Sequence, residues 1–288
     1  MQFYISVITQ TMITLIAVAG VYVLSNLTGM FSLGQAAFMA IGAYTSGIFV
    51  VKLGWPFIPS AIIAILVSVV IGFIVGLPTV NLRRDYISLV TLGFGEAMAA
   101  LLNQMSWLTG GASGFSGFPK LITLPIAASV AAVSVILVAF FKKSKYGRQC
   151  IALKGDELAA KAMGINVARV KMIAFLFSVG LVSLSGIMYA FVITYVDPSL
   201  FGWRKSAEWV IMAFFGGVNS LTGSVLSVVV LTALPEVLRF LSDYRMVFYA
   251  IVVLLIINFK PDGLLGTWEL TPKGVKSLFK EKEDTKCS

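Results

Sequence analysis

The strongest constraint on this chain is a recurrence. Stretches of about 20 mostly apolar residues, the length an α-helix needs to cross a hydrocarbon core about 30 Å thick, follow one another from near the first residue to Phe259. Composition agrees: 58% of the 288 residues are hydrophobic and 12% are charged, against about 45–50% and about 25% in a soluble domain. The solvent for this chain is lipid, and the apolar stretches leave no room for a folded soluble domain among them.

Residues 3–24, 56–77, 86–105, 121–141 and 172–195 read as clear crossings. Segments 33–51, 207–218, 224–241 and 246–259 are less regular; the first is dense in small residues and the second is too short to cross alone. The expected fold is all-α, a polytopic transmembrane helical bundle of about eight crossings, some of them short or broken. Residues 1–10 carry no positive charge ahead of the first apolar run, so that run reads as a first helix and not as a removed signal.

Loops that stay in the cytoplasm keep Lys and Arg, whereas translocated loops shed them. Loop 142–171 holds eight basic residues against Asp156 and Glu157, and the sequence from Lys260 onward holds six against five acids. Both are expected inside. Counting from there places 107–120 and 52–56 outside and Arg83 and Arg84 inside, with the N-terminus out and the C-terminus in. The net charge of +9 is then a feature of the inner membrane face and does not call for nucleic acid. Residues 1–269 form the expected membrane domain. Residues 270–288, lysine-rich and poor in large apolar side chains, are expected to be a disordered basic cytoplasmic tail.

Several chemistries are excluded at once. The chain has no histidine, so histidine-based metal or acid–base chemistry is absent; its 13 acids are scattered, which argues against an integral-membrane enzyme. Cys150 and Cys287 both sit beside lysine-rich segments and do not suggest a disulfide framework. The phosphate-loop pattern GxxxxGK[ST] occurs nowhere, so the chain is not a conventional ATPase by itself. No catalytic residue, metal ligand or cofactor of its own is expected.

Four segments draw attention. In loop 142–171, Asp156 can cap a short helix running through Glu157, Ala160 and Met163 to Gly164, with Leu158, Ala162 and Met163 near one face. Such a helix either rests on lipid headgroups or enters a groove of another protein. The stretch GMFSLGQAAFMAIGAYTSG, 29–47, places Gln35 and Thr45 among small residues at membrane depth. Close helix packing is the plainer reading of it, a solute path the sharper one. Glu96 lies near the centre of crossing 86–105, with Asn103 near the same face. An intramembrane carboxylate must be paired, protonated or turned to protein or water. The loop TGGASGFSGFP, 109–119, has four glycines and no charge, and reads as a flexible surface loop a partner could touch.

In order along the chain, LSNLTGMFSLGQAAFMAIGAYTSG, TLGFGEAMAALLNQMSWLTGGASGFSGFP, YGRQCIALKGDELAAKAMGINVARVKMIAF, YVDPSLFGW, GGVNSLTGSVLS and KPDGLLG resemble the bacterial branched-chain amino acid ABC transporter permeases, in their LivM-like branch, over about residues 20–270. The resemblance implies a non-catalytic permease subunit of the bacterial inner membrane, part of a binding-protein-dependent importer. It implies three kinds of protein partner: a second homologous permease subunit, two cytoplasmic ATPase subunits that bind ATP and Mg, and an extracytoplasmic substrate-binding protein. Segment 142–171 becomes the coupling segment that docks on an ATPase, with Asp156, Glu157, Ala160, Met163 and Gly164 in the motif. Gln35 stands where the family pattern usually has histidine.

The substrate path is expected to involve Gln35, Thr45, Glu96 and Asn103, and the default cargo is a branched-chain or related aliphatic amino acid. Another cargo such as urea, a different amino acid or a sugar is an alternative, as is a proton-coupled secondary transporter using Glu96.

Overall fold

The computed structural model describes residues 2–217 and 219–237, with single positions 250, 254, 258, 263 and 266 beyond them. Apart from those single positions, the expected crossing 246–259, the end of crossing 224–241 and the tail 270–288 lie outside the described residues. The chain divides into two compact units, Met1–Ile211 and Met212–Ser288.

In the first unit, α1 (Gln2–Tyr22) runs into a π-helical turn at Val23–Leu27, and α2 (Gln35–Gly47) into another at Ile48–Lys52. There follow α3 (Phe57–Thr79), α4 (Arg84–Gln104), the short α5 (Ser106–Thr109) and α6 (Leu124–Lys143). Next come α7 (Lys145–Gly155), α8 (Glu157–Ala162) and the long α9 (Val167–Ile193). Among the described residues five helices are long and apolar enough to cross a membrane: Tyr4–Leu27, Phe57–Thr79, Tyr86–Gln104, Leu124–Lys143 and Val167–Ile193. These are the five clear crossings of the sequence. The largest shift is at α9, which begins at Val167 instead of Met172 because Asn166 caps it, its Oδ1 accepting from the Arg169 N–H at 3.1 Å.

The core of this unit is α9, which packs against α1, α2 and α3. Of its membrane-length window 61% is buried, and 78% of that of α1, against 22% for α4 and for α6. Between helices in lipid there is no water to expel, so close approach of small residues provides the association. Gly42 of α2 and Gly186 of α9 show this: a Cβ on Gly42 would stand 2.4 Å from the Ser183 carbonyl oxygen, and one on Gly186 would stand 2.0 Å from that of Met39. At the same crossing Ser68 of α3 and Ser183 share a hydrogen bond of 2.8 Å. Gly42, one of the small residues of 29–47, thus serves close packing of α2 on α9.

Two ends of this bundle are defined by its contacts. At one, Lys142 donates to the Tyr22 hydroxyl at 3.1 Å, and Arg84 donates to the carbonyls of Leu153 and Lys154 at 2.6 and 3.0 Å. At the other, Lys52 donates to the carbonyls of Trp107 and Leu108, both at 2.8 Å, and Tyr44 to that of Val196 at 3.2 Å. The basic loop 142–171 and Arg84 therefore share an end, and 107–120 shares the opposite one with Lys52. Gly29 lies against the Arg84 and Lys154 side chains, so the segment from Gly29 to Lys52 joins the two ends.

Loop 109–119 is not the loose loop its glycines suggest. It contains β1 (Phe115–Ser116), which pairs antiparallel with β2 (Tyr195–Val196), Phe115 opposite Val196. Phe115 and Phe118 are 7% and 5% exposed and meet edge to face with centroids 5.2 Å apart. Burial of two aromatic rings outweighs the backbone freedom of the glycines.

Past the four-residue turn Pro198–Phe201, α10 (Trp203–Phe215) spans 13 residues, about 20 Å at 1.5 Å per residue, too short to cross. In the second unit the apolar run breaks where GGVNSLTG predicts, and α11 (Leu221–Val237) turns back. Ser224 and Ser227 of α11 donate to the carbonyls of Ala213 and Met212, the first at 3.1 Å.

Candidate functional site

The basic end carries a built device. Ser144 caps α7, accepting from the Gly147 N–H at 3.2 Å. One residue separates α7 from α8, and it is Asp156, whose carboxylate accepts from the N–H groups of Leu158 and Ala159 at 2.8 and 3.1 Å. Two orphan donors of the α8 N-terminus are thereby satisfied, and the negative charge sits at the positive end of the helix dipole. At the other end Gly164 takes φ +81°, its N–H bonds to the Lys161 carbonyl at 3.0 Å, and the Ile165 N–H bonds to that of Ala160 at 3.1 Å. That pair of bonds reverses the chain through a left-handed residue, which glycine adopts without Cβ strain. The expected helix from Asp156 to Gly164 is present, with both caps where the residue types place them.

The side chains of α8 divide sharply. Leu158 and Met163 are 81% and 84% exposed, although both are apolar, whereas Ala160 is buried against the chain. Ala160 thus belongs to the seat of α8, and the outward face is Leu158 and Met163. Glu157 points back: its Oε1 lies 2.9 Å from Nζ of Lys171, near the start of α9. Lys171 is 1% exposed and Glu157 39%. A buried ammonium needs its counterion, so the pair holds α8 to α9.

On the inward face of α7, Cys150 is fully buried, and that burial pushes its thiol up to about 12. Lys154 is lowered from the ordinary lysine range, first by burial and then by the positive charges of Lys142 and Arg84. Between α8 and the α3–α4 turn lies an open cleft of about 950 Å³, lined by Asn81, Arg83, Arg84, Leu158 and Lys161 among others.

The four expected path residues are not gathered together. Gln35 is fully buried at the start of α2; its Oε1 accepts from Ser178 at 3.4 Å, and its Nε2 has no partner among the described residues. Thr45 is half-buried. Glu96 and Asn103 are both exposed on α4, on a face shared with Gly93, Ala97 and Ala100. Glu96 accepts from the Trp203 N–H at 3.2 Å. Sequence reasoning missed the Glu157–Lys171 pair, since nothing in the spacing of two residues on different helices announces it.

Several apolar helices long enough to cross a bilayer, packed through small residues and ending in a basic loop with a capped amphipathic helix, define a multi-pass membrane protein. The family described as branched-chain amino acid transport system permease component matches residues 3–257, and the chain belongs to that family. It is 31% identical to the high-affinity branched-chain amino acid transport system permease protein LivM of Salmonella typhimurium, over 91% of this chain and 69% of that one. Against LivM of Escherichia coli it is 28% identical over the same shares. It is also 25% identical to the companion-named permease LivH of Salmonella typhimurium, over 65% of this chain and 61% of that one.

Proposed function

We propose that this chain is the permease subunit of a binding-protein-dependent ABC importer in the bacterial cytoplasmic membrane. It forms part of the translocation path for branched-chain or related aliphatic amino acids and has no catalytic step of its own. Separate ATPase subunits bind ATP and Mg and supply the energy, and an extracytoplasmic binding protein delivers the solute. The membrane domain is 1–269, of about eight crossings, with the N-terminus out and the basic loop and 270–288 tail in the cytoplasm, as the Lys and Arg distribution favours.

The observation that carries the docking is α8, which holds Leu158 and Met163 out from a basic end instead of folding them in. An exposed apolar pair on a doubly capped helix suits insertion into a groove on an ATPase subunit. Closure of the ATPases would move α8 as a rigid body. Through Glu157 and Lys171 that motion reaches α9, and from α9 it reaches α1, α2 and α3, the helices packed on it. Outward-facing and inward-facing arrangements then exchange because the nucleotide states bind α8 differently.

The exposed face of α4 supports a second permease subunit. A carboxylate facing lipid near mid-membrane costs about 2.5–3.5 kcal/mol or more, so Glu96 faces a partner or a wet path, and Asn103 lies on the same face. The similarity to both LivM and LivH fits a pair of related permeases. Gln35 and Thr45 remain path candidates only if α2 and α9 part during transport.

The experiment is co-purification of the tagged chain from its native host in mild detergent. ATPase subunits and a related permease should accompany it, and the binding protein of the same system then names the cargo. Glu96 on an outward face also suits a proton-coupled carrier. Uptake that survives collapse of the proton gradient while ATP is maintained favours the importer, and uptake that stops favours the carrier.

A further inference from the structure

At the end opposite α8, a cavity of about 140 Å³ lies within the first unit among α1, α2, α9 and α10. Its apolar wall comes from Ile13 and Ala17 of α1, Met39 of α2 and Phe201. Its polar groups are few: Thr14, Gln10, Tyr189, Lys205 and Trp209. None of these was singled out in the sequence, and the coupling mechanism uses none of them.

Trp209 is the telling one. It is 1% exposed, it lines the cavity, and its indole N–H has no acceptor among the described residues. Buried indole N–H groups usually find a partner, because losing water without replacing it is costly. Lys205, one helical turn earlier on α10, also lines the cavity and adds a positively charged residue to its wall. Its ion pair with Glu208 at 2.9 Å uses one of three N–H donors, and both side chains are partly exposed, at 32% and 42%. A cavity with a positive charge, an unanswered donor and an apolar wall lacks an anionic acceptor that carries an apolar body.

Size narrows the choice. An engineered apolar cavity of about 150 Å³ admits benzene, so the body that fits here has about six heavy atoms. Resting on the amino-acid import reading, we infer that this cavity is a binding site for an aliphatic carboxylate the size of one amino acid, with Lys205 and Trp209 holding the carboxylate. The site lies near the delivery end, so it is a waypoint for solute released by the binding protein. The same chemistry could come from a membrane fatty acid, whose longer chain the cavity does not enclose.

The test uses the full chain in phosphatidylcholine nanodiscs, with binding read as protection against thermal unfolding. The probes are L-leucine, 4-methylpentanoate, 3-methylbutylamine and dodecanoate. Leucine and 4-methylpentanoate should protect saturably and the amine should not. Lys205→Met should weaken leucine binding at least tenfold and Trp209→Phe several-fold; if Trp209→Phe fails to fold, Lys205→Met decides alone. Protection by the amine equal to that by leucine, or unchanged leucine binding in Lys205→Met, overturns the site. Tighter binding of dodecanoate than of leucine overturns the size assignment in favour of a membrane lipid. ATP-driven leucine uptake by the assembled wild-type transporter is measured beside it: absence of uptake refutes the import reading, whereas uptake without leucine protection refutes only this site.

Discussion

The two ends of the first unit treat their apolar side chains in opposite ways. At the end bearing loop 109–119, Phe115 and Phe118 are folded inward and a short β-pair fastens the loop to the end of α9. At the basic end, Leu158 and Met163 are held outward by a helix whose own caps and ion pair are fully arranged. Rings turned inward contribute to stability where they are. Apolar groups turned outward on a rigid mount gain nothing until another surface covers them. One end is finished within this chain, and the other, on the proposed reading, is finished by a partner.

If that contrast holds, substitutions at the two ends should fail in different ways. The largest loss of stability is expected for Phe118→Ala, about 3–5 kcal/mol for a buried ring, visible as a lowered melting temperature of the purified chain. A cost below about 1 kcal/mol would mean the loop is as loose as its glycines suggest. Next is Glu157→Ala, which strands the buried Lys171 ammonium. The cost should fall below the about 3–5 kcal/mol of a fully buried broken pair, because Glu157 is 39% exposed and water screens it. The exchange Glu157→Lys with Lys171→Glu should recover part of the loss, and equal melting of the single and exchanged variants would remove the pair as the link between α8 and α9.

A smaller effect is expected at Cys150. Its thiol is pushed up to about 12 by burial, against an ordinary value near 8.5, so the folded chain keeps the proton that the unfolded chain releases. The contribution is whole below about pH 8.5 and is lost as pH rises toward 12. In a Cys287→Ser background, maleimide at pH 7.5 should leave the native protein unlabelled and modify it only after denaturation; prompt native labelling would contradict the seating of α7. Smallest in stability is Leu158→Asp with Met163→Asp, expected within about 0.5 kcal/mol because both sites are exposed. ATP-driven uptake should nevertheless be lost, which is the sharpest form of the contrast between the ends.

The sequence displayed these features unequally. The five long helices could be read directly because unbroken apolar length is a local property, and α8 could be read because Asp156 and Gly164 are local signals of a start and a stop. The order of loop 109–119 is not legible in its glycines, because it comes from Phe115 pairing with Val196, a partner far along the chain. The same limit hid the Glu157–Lys171 pair, and it hid the meeting of Gln10, Met39 and Trp209 around one cavity. The depth of Glu96 is legible in the sequence, but the direction it faces depends on how α4 sits on the bundle, which its own periodicity does not specify.

The docking role of α8 is the central claim, and retention of ATPase subunits by the tagged chain tests it most directly. The wild type and the Leu158→Asp, Met163→Asp variant would be purified side by side from the native host in mild detergent, with the second permease as the internal control for assembly. The account predicts that both retain the second permease and that only the wild type retains the ATPase subunits. Equal retention of the ATPases by both would contradict it.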